Sequence, residues 1–177
     1  EKVVTKAKNA LLIPDGVSDE VAAGIPITYG TALHAFKDRA ALKPKETVAV
    51  LGAAGGAGLA AIEVAKLMGA RVIALASSGD KLAFAREHGA VAGINYETEE
   101  VKSRLKALTM PKGVDVVFDP VGGRFAEPAL RAMAWEGRYL VLGFASGEIP
   151  RMPLNLLLLK GCAILGVFWT SFVERNP

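Results

Sequence analysis

Hydrophobic residues occur along the chain in short continuous runs, and the segments between these runs mix apolar and polar residues. A short continuous apolar run is typical of a strand that is buried on both faces of a parallel sheet. The runs predict strands at residues 47–51, 71–75, 92–95, 114–118, 138–142 and 163–167. The mixed segments predict helices at residues 58–68, 80–88, 99–108 and 125–133.

This alternation of strand and helix predicts the fold class. Alternating elements form βαβ units, and the right-handed crossovers of these units wind helices onto a sheet. We therefore expect an α/β fold: a Rossmann-type, doubly wound parallel sheet of about six strands with helices on both faces.

The first part of the chain has a different pattern. Residues 1–13 carry spaced lysines and end in an apolar group before the turn at Pro14-Asp15-Gly16. We interpret residues 1–13 as a remnant strand or arm of another, missing domain, and residues 14–177 as the α/β domain. In that domain Ser18-Asp19-Glu20 predicts the start of a short helix. A second helix is expected at residues 31–40.

The composition narrows the class of protein. Of the 177 residues, 51% are hydrophobic, which is enough to fill a core and too much for a disordered chain. The single cysteine, Cys162, excludes a disulfide framework, so we expect a reducing compartment such as the cytoplasm. The net charge of +3 comes from interleaved basic and acidic residues, so we expect no nucleic-acid partner. Every apolar run is far shorter than a membrane span of about 20 residues, so we expect no membrane association.

Small residues follow the first predicted strand and form the main candidate site. In a dinucleotide-binding turn, small residues permit a tight turn, a close approach of the pyrophosphate, and close packing of helix on strand. Ala53, Gly55 and Gly58 have this spacing, and a strand before and a helix after the turn favour NAD(P) binding. The alternative is a turn that only packs the helix. The whole turn is Gly52-Ala53-Ala54-Gly55-Gly56-Ala57-Gly58.

The end of the second predicted strand bears on the choice of cofactor. NAD-binding folds place an acidic residue about 20 residues beyond the glycines, where it binds the ribose 2′-hydroxyl. This chain has Ala76 there, followed by Ser77, Ser78 and then Lys81. Two hydroxyls and an ammonium group can bind a 2′-phosphate, so the pattern favours NADP(H). The alternative is a serine that caps the next helix beside a solvated lysine, and the two interpretations are compatible.

Several motifs together resemble one known family, the quinone oxidoreductase (zeta-crystallin-like) branch of the medium-chain dehydrogenase/reductase superfamily. The resemblance extends from about Leu11 onward and is specific as a set. We expect the family's N-terminal GroES-like catalytic domain and its C-terminal segment to be missing from this chain. The motifs are the run from Ala53 to Tyr96, Tyr29-Gly30-Thr31-Ala32, Lys66-x-x-Gly69-Ala70, Asn95-Tyr96, Phe118-Asp119-x-Val121-Gly122 and Leu142-Gly143.

The resemblance implies further cofactor contacts. Tyr96 would lie beside the 2′-phosphate with Ser77 and Lys81. The Gly143-Phe144 turn would lie near the nicotinamide and its ribose, with Val121 nearby, and Phe168 would offer backbone groups to the carboxamide. The predicted cofactor-binding set is Ala53, Ala54, Gly55, Gly56, Ala57, Gly58, Ser77, Ser78, Lys81, Tyr96, Val121, Gly143, Phe144 and Phe168.

These expectations combine into a hypothesis about function. The chain is interpreted as the NADPH-binding domain of a zinc-independent oxidoreductase that transfers hydride to a quinone, an enone or a similar acceptor. We assign no catalytic residue and no metal ligand, and we expect the chain alone to be inactive. One alternative is a non-catalytic nucleotide-binding or RNA-associating module, because the resembled family includes RNA-binding members. Another is a structural, dimer-forming domain.

Two further features carry expectations. The last predicted strand, at residues 163–167, is apolar and has neither proline nor lysine. A strand edge of this kind can pair with another chain, and relatives in the superfamily pair through their sixth strand, so we expect a homodimer.

Asp119 follows the fourth strand at the edge where ligands bind, and is either a functional group or a structural carboxylate of the turn.

Overall fold

The computed structural model describes residues 3–7 and 10–176, and a parallel sheet lies at its centre. The order across the sheet follows the doubly wound Rossmann pattern, in which the chain starts in the middle, builds one side and then crosses to the other. This order is β3-β2-β1-β4-β5-β6, with every neighbouring pair parallel. The strands are β1 (Thr47–Leu51), β2 (Arg71–Ala76), β3 (Ala92–Asn95), β4 (Val114–Asp119), β5 (Met133–Val141) and β6 (Ala163–Gly166).

Helices cover both faces of the sheet, which confirms the predicted fold class. One face carries α1 (Asp19–Leu33), α2 (Gly56–Leu67) and α3 (Gly79–Glu87). The other carries α4 (Val101–Thr109), α5 (Ala126–Arg131) and α6 (Asn155–Lys160). A last helix, α7 (Trp169–Arg175), contacts α1.

The two core layers explain the continuous apolar runs in the sequence. Successive side chains of a strand point to opposite faces of the sheet. In β1, Val48 and Val50 belong to the layer under α1 and α2, and Ala49 and Leu51 to the layer under α4 and α5. All four are fully buried, so neither face of this strand can carry a polar residue.

The prediction of two separate helices before β1 is wrong. The Ser18 hydroxyl oxygen accepts a hydrogen bond from the Val21 N–H at 3.3 Å, and α1 then runs on into a π-helical turn at His34–Arg39. Pro26 is exposed, so its ring is not forced against the core of the domain. The helix therefore continues through Pro26, and the burial of Phe36 holds its far end on the sheet.

Other boundaries differ because the apolar pattern is interrupted. α2 begins at Gly56 rather than residue 58, and β5 begins at Met133 rather than residue 138. In β5, Trp135 and Glu136 are exposed and the pairing with β4 shifts register, so this part of the strand has no apolar run. The pattern also does not predict α6 and α7.

The chain before α1 lies outside the sheet. Residues 3–7 and 10–13 form no strand and are exposed, while residues 1, 2, 8 and 9 lie outside the described residues. The division into residues 1–13 and 14–177 stays a prediction. Across residues 3–7 and 10–176, no helix is long and apolar enough to cross a membrane.

Candidate functional site

A cavity of about 390 Å³ opens at the carboxyl edge of the sheet, among the loops that follow the strands β1 to β5. The order of the strands reverses between β1 and β4, and open α/β sheets bind ligands at such a switch point. The cavity is therefore the candidate site. Its walls are Gly52, Ala54, Gly55, Gly56, Ala57, Gly58, Ala76, Lys81, Tyr96, Pro120, Val121 and Ala145.

The glycine turn brings α2 against the end of β1. A Cβ atom on Gly58 would lie 2.3 Å from the Gly52 carbonyl oxygen and 2.8 Å from the Ala53 Cα, so a side chain at Gly58 would collide with the backbone of the turn. Gly52 has a φ of 61°, which favours glycine. Ala53 is fully buried, and its N–H donates to the Leu75 carbonyl oxygen at 3.1 Å. Ala53 thus shapes the turn, and its side chain does not line the cavity.

The start of α2 supplies backbone donors to the cavity. Gly55 is the N-cap residue, and no side chain in the described ranges caps this end. The Leu59 N–H donates to the Gly55 carbonyl oxygen at 2.8 Å. The N–H groups of Gly56–Gly58 therefore precede the first bond of the helix and can serve a ligand. Unpaired N–H groups and the helix dipole both favour an anion, so this end can hold a pyrophosphate.

One end of the cavity lies beyond β2. Ala76 stands where an acidic residue would bind a ribose hydroxyl, and Lys81 lines the cavity from the first turn of α3. The Lys81 ammonium group donates to the Ser77 hydroxyl at 2.8 Å. The Ser78 hydroxyl accepts a bond from the Lys81 N–H at 3.4 Å, which confirms the capping interpretation for Ser78. Tyr96 follows β3 and lines the cavity; its N–H donates to the Ala76 carbonyl oxygen at 3.1 Å, and its ring centroid lies 4.3 Å from that of Phe125.

The other end of the cavity lies beyond β4 and β5, where Pro120, Val121 and Ala145 form the wall. Phe144 lies in the loop after β5 without lining the cavity, and Phe168 follows β6 and is 70% exposed.

The structure thus divides the predicted cofactor-binding set. The predicted residues that line the cavity are Ala54, Gly55, Gly56, Ala57, Gly58, Lys81, Tyr96 and Val121. Those that do not line it are Ala53, Ser77, Ser78, Gly143, Phe144 and Phe168. Residues that line the cavity outside the predicted set are Gly52, Ala76, Pro120 and Ala145. Gly52 belongs to the predicted turn and Ala76 is the position that bears on the cofactor, whereas Pro120 and Ala145 have no sequence signal besides their place next to predicted residues.

The fold and the glycine-lined cavity at its switch point define a Rossmann-type dinucleotide-binding domain. A family model described as "Zinc-binding dehydrogenase" matches residues 56–176, which is more than half of the chain. The chain therefore belongs to this family, and it is a quinone oxidoreductase-type domain of the medium-chain dehydrogenase/reductase superfamily, as the resemblance predicted.

Named relatives agree with this assignment. The chain is 45% identical over 177 residues to "Quinone oxidoreductase-like protein 2" of Rattus norvegicus, covering 99% of this chain and 51% of the relative. It is similar to the quinone oxidoreductase of Thermus thermophilus, which was solved with NADPH (TM-score 0.83, 37% identity, 94% of this chain and 52% of that chain). It is also similar to that of Pseudomonas syringae pv. Tomato DC3000 (TM-score 0.87, 31% identity, the same coverage of both chains). The chain spans about half the length of the curated relatives it matches.

The family's description names zinc, but the described residues do not fit a zinc site. Among them, no three His, Cys, Asp or Glu side chains come close enough together to hold a metal. The His34 Nδ1 lies 2.8 Å from Asp38 Oδ2, and the His88 Nδ1 lies 2.7 Å from Glu63 Oε1. Cys162 is buried, and burial raises the pKa of its thiol. Each histidine thus has a single carboxylate partner, which is too few for a structural zinc site.

Proposed function

We propose that this chain is the NADP(H)-binding domain of a zinc-independent oxidoreductase. The observation that carries the proposal is the end of β2, where Ala76 replaces an acidic residue and the Lys81 ammonium group lines the cavity. An acidic residue there would repel a 2′-phosphate, whereas an ammonium group attracts it. The NADPH complex of the Thermus thermophilus relative supports the same cofactor.

In this proposal the bound cofactor supplies the hydride, and the chain holds and orients it. The N–H groups at the start of α2 would bind the pyrophosphate, and Lys81, whose ammonium group donates to the Ser77 hydroxyl, would bind the 2′-phosphate. Val121 and Ala145 line the cavity after β4 and β5 and would hold the nicotinamide half, since a dinucleotide spans the switch point. No side chain of the cavity is assigned as a proton donor.

The acceptor that we propose is a quinone, an enone or a similar electrophile. Support comes from the names of relatives, which include a quinone oxidoreductase of Pseudomonas aeruginosa and "Prostaglandin reductase-3" of Bos taurus.

The inactivity of the chain alone stays a prediction. We also propose a cytoplasmic location, which the single buried thiol supports.

The choice of cofactor can be tested by calorimetry with NADPH and NADH. We expect NADPH to bind at least about tenfold more tightly, since a hydrogen bond to a charged group contributes roughly 1.5–3 kcal/mol. Lys81→Ala should remove most of this preference, because it should weaken the binding of NADPH and leave the affinity for NADH unchanged. Lys37→Ala is the matched control, because Lys37 is exposed and does not line the cavity. Equal affinities for the two cofactors, or an unchanged preference in Lys81→Ala, would contradict the proposal.

We further propose a homodimer through β6, whose outer edge is the open end of the sheet. The Val167 N–H donates to the Val141 carbonyl oxygen in β5, so the N–H of Ile164, three positions earlier, faces the open edge. Leu158 and Leu159 on the preceding helix α6 are 83% and 68% exposed and add apolar surface.

Ile164→Pro should convert the dimer to a monomer, because it removes a donor from the open edge and leaves the Val167 bond to β5 in place. Ile164→Val, which keeps the N–H, should remain dimeric. Sedimentation velocity at tens of micromolar measures both. A monomeric unaltered chain, or a dimer unaffected by Ile164→Pro, would show that β6 is not the interface.

A further inference from the structure

A buried carboxylate beside the cavity has no part in the function proposed above. Asp119 at the end of β4 is 2% exposed, and Tyr139 on β5 is 1% exposed. Asp119 Oδ1 accepts hydrogen bonds from the N–H groups of Val121 (2.7 Å) and Gly122 (2.8 Å). Asp119 Oδ2 accepts one from the Tyr139 hydroxyl at 2.5 Å. The carboxylate thus ties the turn after β4 to the neighbouring strand.

That turn is joined to the loop after β5. We call residues 120–123 and 143–148 the loop pair. Because backbone hydrogen bonds connect its two segments, the anchoring of one segment also places the other. These bonds run from the Ala145 N–H to the Pro120 oxygen (3.1 Å), from Ser146 to Val121 (2.9 Å) and from Gly123 to Glu148 (3.1 Å).

The loop pair supplies Pro120, Val121 and Ala145 to the cavity wall, and Lys81 lines the same cavity from the far side of the glycine turn, after β2. A Cβ atom on Gly52 would lie 2.9 Å from the Val121 Cγ2, so Val121 packs directly on the glycine turn. A dinucleotide that spans the turn with its 2′-phosphate at Lys81 would extend its second nucleotide toward the loop pair.

We propose that Asp119 and Tyr139 are positioning residues that hold the loop pair against the nicotinamide half of the cofactor. This inference rests on the proposed function. Burial and the adjacent Asp119 charge both raise the pKa of Tyr139, so its hydroxyl remains a donor. A buried charge that is fully hydrogen-bonded keeps its surroundings in one arrangement, which is what a preorganised binding wall requires.

Two probes separate positioning from folding: NADPH, and 2′,5′-ADP, which has the adenosine half with its 2′-phosphate but lacks the nicotinamide half that the loop pair would hold. Tyr139→Phe removes the hydroxyl and keeps the ring. We expect its Kd for NADPH to rise about tenfold, the equivalent of one charge-assisted hydrogen bond, with the Kd for 2′,5′-ADP unchanged. The nicotinamide fluorescence of bound NADPH should also shift toward that of the free cofactor.

The matched control is Tyr29→Phe, because the Tyr29 hydroxyl also donates to a carboxylate, Glu63 at 2.5 Å, away from the cavity. It should leave both affinities unchanged. If Tyr139→Phe does not fold, Asp119→Asn is the second test, because its amide oxygen can still accept the hydrogen bonds from the turn. We expect Asp119→Asn to weaken NADPH binding more than 2′,5′-ADP binding, by a smaller factor than Tyr139→Phe does. No loss of NADPH affinity, or equal losses for both probes, overturns the positioning role. If the unaltered 177-residue chain binds neither probe, the proposed function fails and this inference with it.

Discussion

Gly58→Ala is expected to weaken NADPH binding at least about tenfold and to destabilise the fold by about 1–3 kcal/mol, the usual cost of overpacking a close contact. The added Cβ would lie 2.3 Å from the Gly52 carbonyl oxygen, which belongs to the backbone and cannot rotate away. The start of α2 must therefore move off the turn. The N–H groups that we propose bind the pyrophosphate would move with it, so affinity should fall together with stability. Calorimetry with NADPH and urea denaturation measure the two effects.

Gly24→Ala is the matched control for this change. Gly24 lies in α1, and a Cβ atom there would have nothing within 4 Å. Alanine is favoured over glycine inside a helix by up to about 1 kcal/mol, so this variant should be slightly more stable and should bind NADPH normally. An affinity of Gly58→Ala equal to that of Gly24→Ala would mean that the close approach of α2 is not what forms the binding site.

Arg138→Ala is expected to lower the free energy of unfolding by about 3 kcal/mol. Arg138 binds both Glu46 carboxylate oxygens, at 2.6 and 3.0 Å, and donates to the Ala40 carbonyl oxygen at 2.9 Å. The Arg138 and Glu46 side chains are 18% and 14% exposed, so removing Arg138 leaves the Glu46 carboxylate largely buried and without its guanidinium partner. The exposed pair of Arg131 and Glu127 is the control, because Arg131→Ala should cost less than about 1 kcal/mol. Similar losses in the two variants would contradict this account.

The same pair predicts a dependence of stability on pH. Burial raises the pKa of Glu46, but the hydrogen bonds and charge of Arg138 outweigh it and hold the pKa below its ordinary value of 4.5. A carboxyl whose pKa is lowered on folding stabilises the folded chain above its unfolded pKa and loses this contribution as the pH falls through its folded pKa. Glu46→Gln should therefore cost most above about pH 4.5, and the difference from the unaltered chain should narrow at lower pH. Urea denaturation at several pH values measures this, and a difference that is constant with pH would argue against it.

Much of the candidate site could be predicted from the sequence because its residues are close together in the chain. The turn from Gly52 to Gly58, Lys81 and Tyr96 each follow directly after a strand or begin a helix. Strands of this fold end at one edge, so strand prediction alone brings these segments together. The absence of an acidic residue at Ala76 is equally visible, since it depends only on the distance from the glycines.

The roles of Asp119 and Glu46 could not be predicted in this way. Asp119 was compatible with either a functional or a structural role, and the contact with Tyr139, 20 residues away, shows that it anchors the turn. Glu46 meets Arg138 across 92 positions of the chain. No local pattern indicates such a pair, because its energy arises only when both charges are buried together.

The sequence was thus sufficient for the fold class and the glycine turn, since local periodicity and the steric requirement for small residues determine both. The sequence did not predict that the helix continues through Pro26 or that β5 starts at Met133. It also did not predict which of the candidate residues line the cavity. Burial of Phe36, a shift of register beside Val114 and the inward direction of Ala53 decided these. Each depends on packing against segments distant in the chain, and that packing exists only in the folded domain.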